Sequence, residues 1–185
     1  MHTPQLITAV EDIILVNERD EQVGTMEKMQ AHRRALLHRA FSVFIFNNRG
    51  EMLLQRRASG KYHSGGLWTN ACCSHPRPGE QTAEAAARRL KEEMGFDTGL
   101  QKLFDFMYKT AFDNGLTEYE FDHVFAGVYN GTIEPDKAEV MDYCFKSMID
   151  IKESLLLQPG KYTAWFLIAF PLVEEWLNNN KLCTG

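Results

Sequence analysis

The sequence predicts an α/β (α+β) chain in which a mixed β-sheet sandwich is flanked by helices. Three observations carry this expectation. Apolar stretches of strand length, rich in β-branched and aromatic residues, occur at 41–46, 103–108 and 119–129. The order of elements is mixed strands, one helix, more strands and then helices, an order suited to helices covering a mixed sheet. The 185 residues, 44% hydrophobic and 24% charged, fit one globular domain spanning 1–185.

Taken in order, residues 13–16 form a short apolar strand closed by a polar turn over 17–22. Gly24 and Thr25 lead to Lys28 and a cluster of His32, Arg33, Arg34, His38 and Arg39. Such a cluster is unusual in an acidic chain, and a solvated basic face is an even alternative to a binding role. Residues 41–46 and 52–56 form a hairpin through the turn Asn47-Asn48-Arg49-Gly50. It ends in Arg56-Arg57, and Lys61 follows in a glycine-containing loop; guanidinium and ammonium groups so placed suit phosphate oxygens. A helix is expected over 82–94, with Thr82 as N-cap, Ala83, Ala86, Ala87, Leu90 and Met94 as its apolar stripe, and Gly95 at C′. Arg88–Glu92 and Arg89–Glu93 are i,i+4 pairs, read as surface ion pairs. Strands are expected at 103–108, 119–129 and 141–147, then a helix from about 148 and another over 162–182 that Pro171 kinks.

Composition excludes several classes of function. A net charge of −5 argues against non-specific nucleic-acid binding. The longest apolar run, 163–173, is too short to span a membrane and contains Pro171. The N-terminus lacks the pattern of a signal peptide. Four cysteines, Cys72, Cys73, Cys144 and Cys183, two of them adjacent, read as free thiols in a reducing, cytoplasmic compartment.

The stretch Trp68-Thr69-Asn70-Ala71-Cys72-Cys73-Ser74-His75-Pro76 is the most chemically suggestive. In an extended chain Cys73 and His75 share one face and Cys72 takes the other. A thiol beside an imidazole fits a tuned reactive cysteine or a metal ligand next to a catalytic group; a buried structural cysteine is the plainer reading. Glu118-Tyr119-Glu120 puts two carboxylates on one strand face, an arrangement that is usually only a solvated surface. Trp165, near the start of the last helix, reads as a core aromatic on its own.

The stretch Ser74-x5-Glu80-x7-Arg88-Arg89-Leu90-x-Glu92-Glu93-x-Gly95-Phe96 is similar to the Nudix box, with Ser74 in place of its opening glycine and Arg89 in place of a magnesium-binding glutamate. That charge inversion counts against diphosphate hydrolysis. The wider set resembles the type 1 isopentenyl-diphosphate Δ-isomerases of the Nudix-fold superfamily. It comprises Gly24-Thr25-x-Glu27-Lys28, His32, His38, Leu54-x-Arg56-Arg57, Trp68-Thr69-Asn70-x-Cys72-Cys73-x-His75-Pro76, Arg89-x3-Glu93, Glu118-x-Glu120 and Trp165. The spacing from His32 to His38 is one residue shorter than in the bacterial pattern.

The resemblance implies 1,3-allylic rearrangement of isopentenyl diphosphate to dimethylallyl diphosphate through a carbocation-like intermediate. It implies Cys73 and Glu120 as the acid/base pair, with Tyr108 sharing the proton and Trp165 facing the cation. His32, His38, His75, Glu118 and Glu120 would hold one divalent ion, Mn²⁺ or Zn²⁺. A Mg²⁺ carried with the diphosphate would use Glu93 and the Cys73 carbonyl. Lys28, Arg57, Lys61 and Arg89 would neutralise the diphosphate. The expected assembly is a monomer or homodimer. A Nudix hydrolase of a diphosphate substrate is the alternative enzyme, and a metal-stabilised binding module the non-enzymatic one.

Overall fold

The computed structural model describes residues 11–61 and 63–182; Cys183 lies outside them. Its centre is β3 (His38–Phe46), a nearly unbroken apolar strand buried on both faces. Such a strand reads as continuous rather than alternating, because neither face meets water. It pairs antiparallel with β1 (Asp12–Val16), β4 (Met52–Arg57) and β6 (Cys72–Ser74), and parallel with β8 (Thr117–Val128). The sheet is extended by β2 (Gln22–Glu27) on β1, β5 (Trp68–Thr69) and β9 (Val140–Lys146) on β4, and β7 (Gln101–Ala111) on β8.

The alternation along β3 divides the core in two. Phe41, Val43 and Ile45 pack with Ala85, Ala86, Leu90 and Met94 of α2 (Thr82–Met94). Phe44 and Phe46 pack with Ile151 of α3 (Met148–Leu157) and with Trp165, Phe166, Ala169, Phe170 and Val173 of α4 (Ala164–Asn179). Each fully buried Phe or Leu contributes roughly 1.5–3 kcal/mol of transfer free energy, so both layers hold the sheet against folding entropy. The expected sandwich of a mixed sheet and flanking helices is therefore present.

Local expectations differ in several places. Residues 22–27, for which the sequence predicts no element beyond the turn ending at 22, form the edge strand β2, because pairing with β1 supplies the order that the glycine-containing sequence lacks. The cationic cluster begins with a six-residue helix, α1 (Lys28–Arg33), whose first amides are capped by Glu27. Thr82 is the first helical residue of α2; Gln81 holds the N-cap position and makes no side-chain bond there. Gly95 is the left-handed cap at φ 78°, where a Cβ would also collide with the Glu134 carbonyl. The last helix starts at Ala164, after a 3₁₀ turn at Pro159–Lys161, and continues through Pro171. Among the described residues Cys72, Cys73 and Cys144 are free, and no helix is long and apolar enough to cross a membrane.

Candidate active site and metal centre

Strand register assembles the site. His38, the first residue of β3, is paired with Glu120 of β8, which is paired in turn with Tyr108 of β7. Four residues along the same face of β3, Ser42 is opposite Cys73 of β6. The two-residue period of β8 puts Glu118, Glu120 and Asp122 on one side, and all three are buried. Helix α1 contributes His32, and His75 follows β6. Ala35, at φ 50°, turns the chain sharply between α1 and β3, so the short interval still brings His38 to His32; their ring centroids are 4.8 Å apart.

One ligand atom from each of His32, His38, His75, Glu118 and Glu120 lies within 4.8 Å of all the others. The second nitrogens of His32 and His38 are already committed. His32 Nδ1 is 2.6 Å from the Lys28 carbonyl and His38 Nδ1 is 2.8 Å from the Leu36 carbonyl, so each donates there. In the neutral ring that fixes the tautomer with an Nε2 lone pair aimed inward, as metal-bound histidines require. His32 Nε2 faces Glu118 Oε2 at 3.0 Å and His75 Nε2 faces Glu120 Oε1 at 3.0 Å. His38 Nε2, fully buried, has no hydrogen-bond partner and lies 3.6 Å from Glu120 Oε1. Two buried carboxylates side by side repel unless positive charge joins them, and an orphaned imidazole lone pair needs an acceptor. This donor set fits a divalent cation and could hold one.

The protonation states agree. Burial alone would raise Glu118, but the hydrogen bonds of His32 and His63 outweigh it and hold its carboxyl well below the usual range. Glu120 is likewise lowered overall: burial and Glu118 push it up, His38 and His75 pull it further down. Burial drives His75 down to about 4, leaving it neutral near pH 7. His32 goes the other way; burial opposes its charge, yet Glu118 raises it above the ordinary value of 6.5. A cation must therefore displace the His32 proton at mildly acid pH, and apparent affinity climbs as pH rises through the elevated pKa. Calorimetric titration of metal-stripped protein with Mn²⁺, in two buffers of different ionisation enthalpy, is expected to show net proton release at mildly acid pH that shrinks as pH rises. Zero release with pH-independent affinity would contradict this arrangement.

His75, Glu118 and Glu120 of the cluster line a cleft together with Cys73, Tyr108, Trp165, Arg57 and His63. The Tyr108 hydroxyl donates to Glu120 Oε2 at 2.6 Å. Cys73 packs toward α4 whereas Cys72 is in the α2 layer, as strand alternation predicts. Burial, and after it the charge of Asp122, push the Cys73 thiol well up; bonds to Ser42 and Asn70 pull the other way. Trp165 is buried, with the Arg57 guanidinium 5.1 Å from its ring centroid.

The other expected cations gather at an acidic junction. Arg89 Nη2 donates to the buried Glu93 at 2.7 Å and lies 3.5 Å from Glu139, so Arg89–Glu93 is not the surface pair the sequence suggested. Lys61 pairs with Glu139, and Lys28 with Glu11 at 3.3 Å. Burial, followed by the charges of Arg57, Arg89 and Lys28, depresses Lys61, while Glu93 opposes the shift; the four cations share one electrostatic neighbourhood. Gln55 donates to Glu93 at 3.1 Å and to the Ala71 carbonyl at 2.8 Å, tying α2 to the central segment.

Sequence reasoning missed His63, Ser42, Asp122, Gln55 and Glu139. His63 Nε2 is 2.7 Å from Glu118 Oε1, and its ring stacks on Phe112 and meets Trp165 edge-on. It sits in an aperiodic loop that gives no signal. Asp122 extends the Glu118–Glu120 alternation by one step, a signal that was present.

The NUDIX domain family model matches residues 36–166, so sheet, helices and cleft together define a protein of the NUDIX class. Solved structures agree on the fold: DR0079 of Deinococcus radiodurans has a TM-score of 0.74 at 20% identity, covering 88% of this chain and 98% of that one. Closer relatives narrow the class. The protein named isopentenyl-diphosphate Delta-isomerase 2 of Aromatoleum aromaticum is 50% identical over 157 residues, 84% of this chain and 82% of its own length. The isopentenyl-diphosphate Delta-isomerase of Pectobacterium atrosepticum is 46% identical over 165 residues, 89% and 92% of the two chains. The chain belongs to the isopentenyl-diphosphate Delta-isomerase family.

Proposed function

We infer that the protein interconverts isopentenyl diphosphate and dimethylallyl diphosphate. The observation that carries this reading is the placement of Cys73 and Glu120 on one cleft beside Trp165 and the His/Glu cluster. Moving the double bond means adding a proton to the terminal alkene carbon and removing one from the carbon nearer the diphosphate. Positive charge develops on the tertiary carbon between them. Two proton-carrying groups are required, and Cys73 and Glu120 are that pair. Tyr108, bonded to Glu120, orients its carboxylate and shares the proton. The Trp165 ring, already facing one cation, stabilises the developing charge by about 2 kcal/mol where water is excluded. The buried wall keeps water from capturing the cation.

His32, His38, His75, Glu118 and Glu120 would hold a divalent ion, Mn²⁺ or Zn²⁺, which supplies positive charge that tunes the proton affinity of Glu120. Glu93 and the Cys73 carbonyl would hold the Mg²⁺ that accompanies the diphosphate, with Lys28, Arg57, Lys61 and Arg89 neutralising the phosphate oxygens. Arg89 disfavours hydrolysis, since it presents a guanidinium where the hydrolase pattern has a magnesium-binding carboxylate.

Incubating isopentenyl diphosphate with the protein in heavy water tests the reading. Deuterium in the recovered five-carbon diphosphates, without phosphate release, is the expected result. Phosphate release without deuterium incorporation would replace isomerisation by hydrolysis.

A further inference from the structure

We propose that Ser42 and Asp122 form a positioning dyad that holds the Cys73 sulfur against the cleft. The proposal rests on Cys73 acting in proton transfer. Ser42 Oγ lies 3.4 Å from Cys73 Sγ and 2.7 Å from Asp122 Oδ2. Ser42 and Asp122 are 2% and 1% exposed, so no bulk water competes for these contacts. Asp122 Oδ1 has no hydrogen-bond partner. A carboxyl buried with one oxygen unsatisfied costs stability that the core does not need, since an apolar residue would serve packing better. Among the described residues its side chain bonds the hydroxyl that touches the thiol.

The opposite side of the sulfur is fixed as firmly. Cys73 Sγ is 3.1 Å from Asn70 Oδ1. The Asn70 amide cannot turn, because its Nδ2 donates to the Val43 and Cys72 carbonyls at 3.0 and 2.9 Å. The Thr69 hydroxyl donates to the same Asn70 Oδ1 at 2.9 Å, and Thr69 Oγ1 lies 3.0 Å from Thr163 Oγ1, at the start of α4. The thiol is thus gripped between two oxygens, one tied to β8 and one to α4. With the Ser42 proton given to Asp122, both oxygens present lone pairs to the single S–H, which bonds one at a time while the two contacts together confine a small side chain that packing alone would leave freer. Proton transfer to or from carbon is sensitive to such placement, and a shift of about 1 Å can cost roughly 10²-fold in rate. The dyad acts through Cys73 and does not itself exchange a proton with substrate.

Steady-state kinetics on Ser42→Ala, Asp122→Ala, the double variant and Cys73→Ala test the proposal. Ser42→Ala is expected to lower kcat about 10- to 100-fold with KM changed less than about twofold, because the diphosphate end is untouched. Asp122→Ala should lose a similar factor, and the double variant should be no more than about threefold worse than either single one, because one group works through the other. Asp122→Asn keeps an oxygen for Ser42 at equal volume and is expected to restore kcat to within about threefold of the parent; it also keeps the test open should the alanine variant not fold. If Ser42→Ala turns over normally while Cys73→Ala is dead, the dyad is refuted and the role of Cys73 stands. Multiplying losses in the double variant, or an asparagine variant as slow as the alanine one, would refute the coupling. Normal turnover by Cys73→Ala would overturn the reading of the thiol and the dyad with it.

Discussion

Glu120→Gln is expected to lower turnover by roughly 10³-fold, the scale of losing a positioned general acid or base. The carboxylate meets Tyr108 at one oxygen and His75 at the other, so both oxygens are spoken for and neither is a solvated surface group. Glutamine matches the shape but cannot cycle a proton, and its amide nitrogen would face either the tyrosine hydroxyl or the imidazole lone pair. The same change removes a negative charge from the five-donor cluster, so affinity for the divalent ion should fall together with rate. The fold should persist, because Glu120 belongs to the polar site and neither hydrophobic layer includes it. Kinetics, metal content and thermal melting measured on one preparation check the three statements; near-normal turnover would remove Glu120 from the reaction.

Cys73→Ala is expected to be comparably inactive, by about 10²- to 10⁴-fold, whereas Cys72→Ala should keep most activity. The two thiols are adjacent in sequence and opposite in space. Cys72 is fully buried in the α2 layer, does not line the cleft, and packs there as a small apolar group. Its loss leaves a small cavity, costing on the order of 1 kcal/mol of stability rather than catalysis. Cys73 lines the cleft. Assays of both variants with isopentenyl diphosphate, alongside denaturant melts, separate the roles; an active Cys73→Ala and a dead Cys72→Ala would invert the strand-face assignment.

The legible parts of the site are those whose residues repeat at a strand or helix period. Glu118 and Glu120 share a face because β8 is extended, and Cys73 and His75 share one because the central segment is. The helix at Thr82–Met94 ends where its sequence says, at the left-handed Gly95, but its N-cap is Gln81 rather than Thr82, and its buried stripe runs through Ala85, Ala86, Leu90 and Met94, with Ala83 exposed. The assembled set of five metal donors was named from family resemblance, since nothing local says that His32 and Glu118 meet across 86 residues. What stayed hidden depends on tertiary pairing. Edge strand β2 takes its order from β1, and Ser42, inside an apolar strand, gains a role only from the register that sets it opposite Cys73. His63 reaches Glu118 from a loop with no periodicity to interpret.

Diffraction from a crystal soaked in Mn²⁺, collected for anomalous signal, tests the centre of the account most directly. A peak enclosed by His32, His38, His75, Glu118 and Glu120 is expected, beside the cleft that His75, Glu118, Glu120 and Cys73 line. Manganese found elsewhere, with those five side chains unligated, would contradict it.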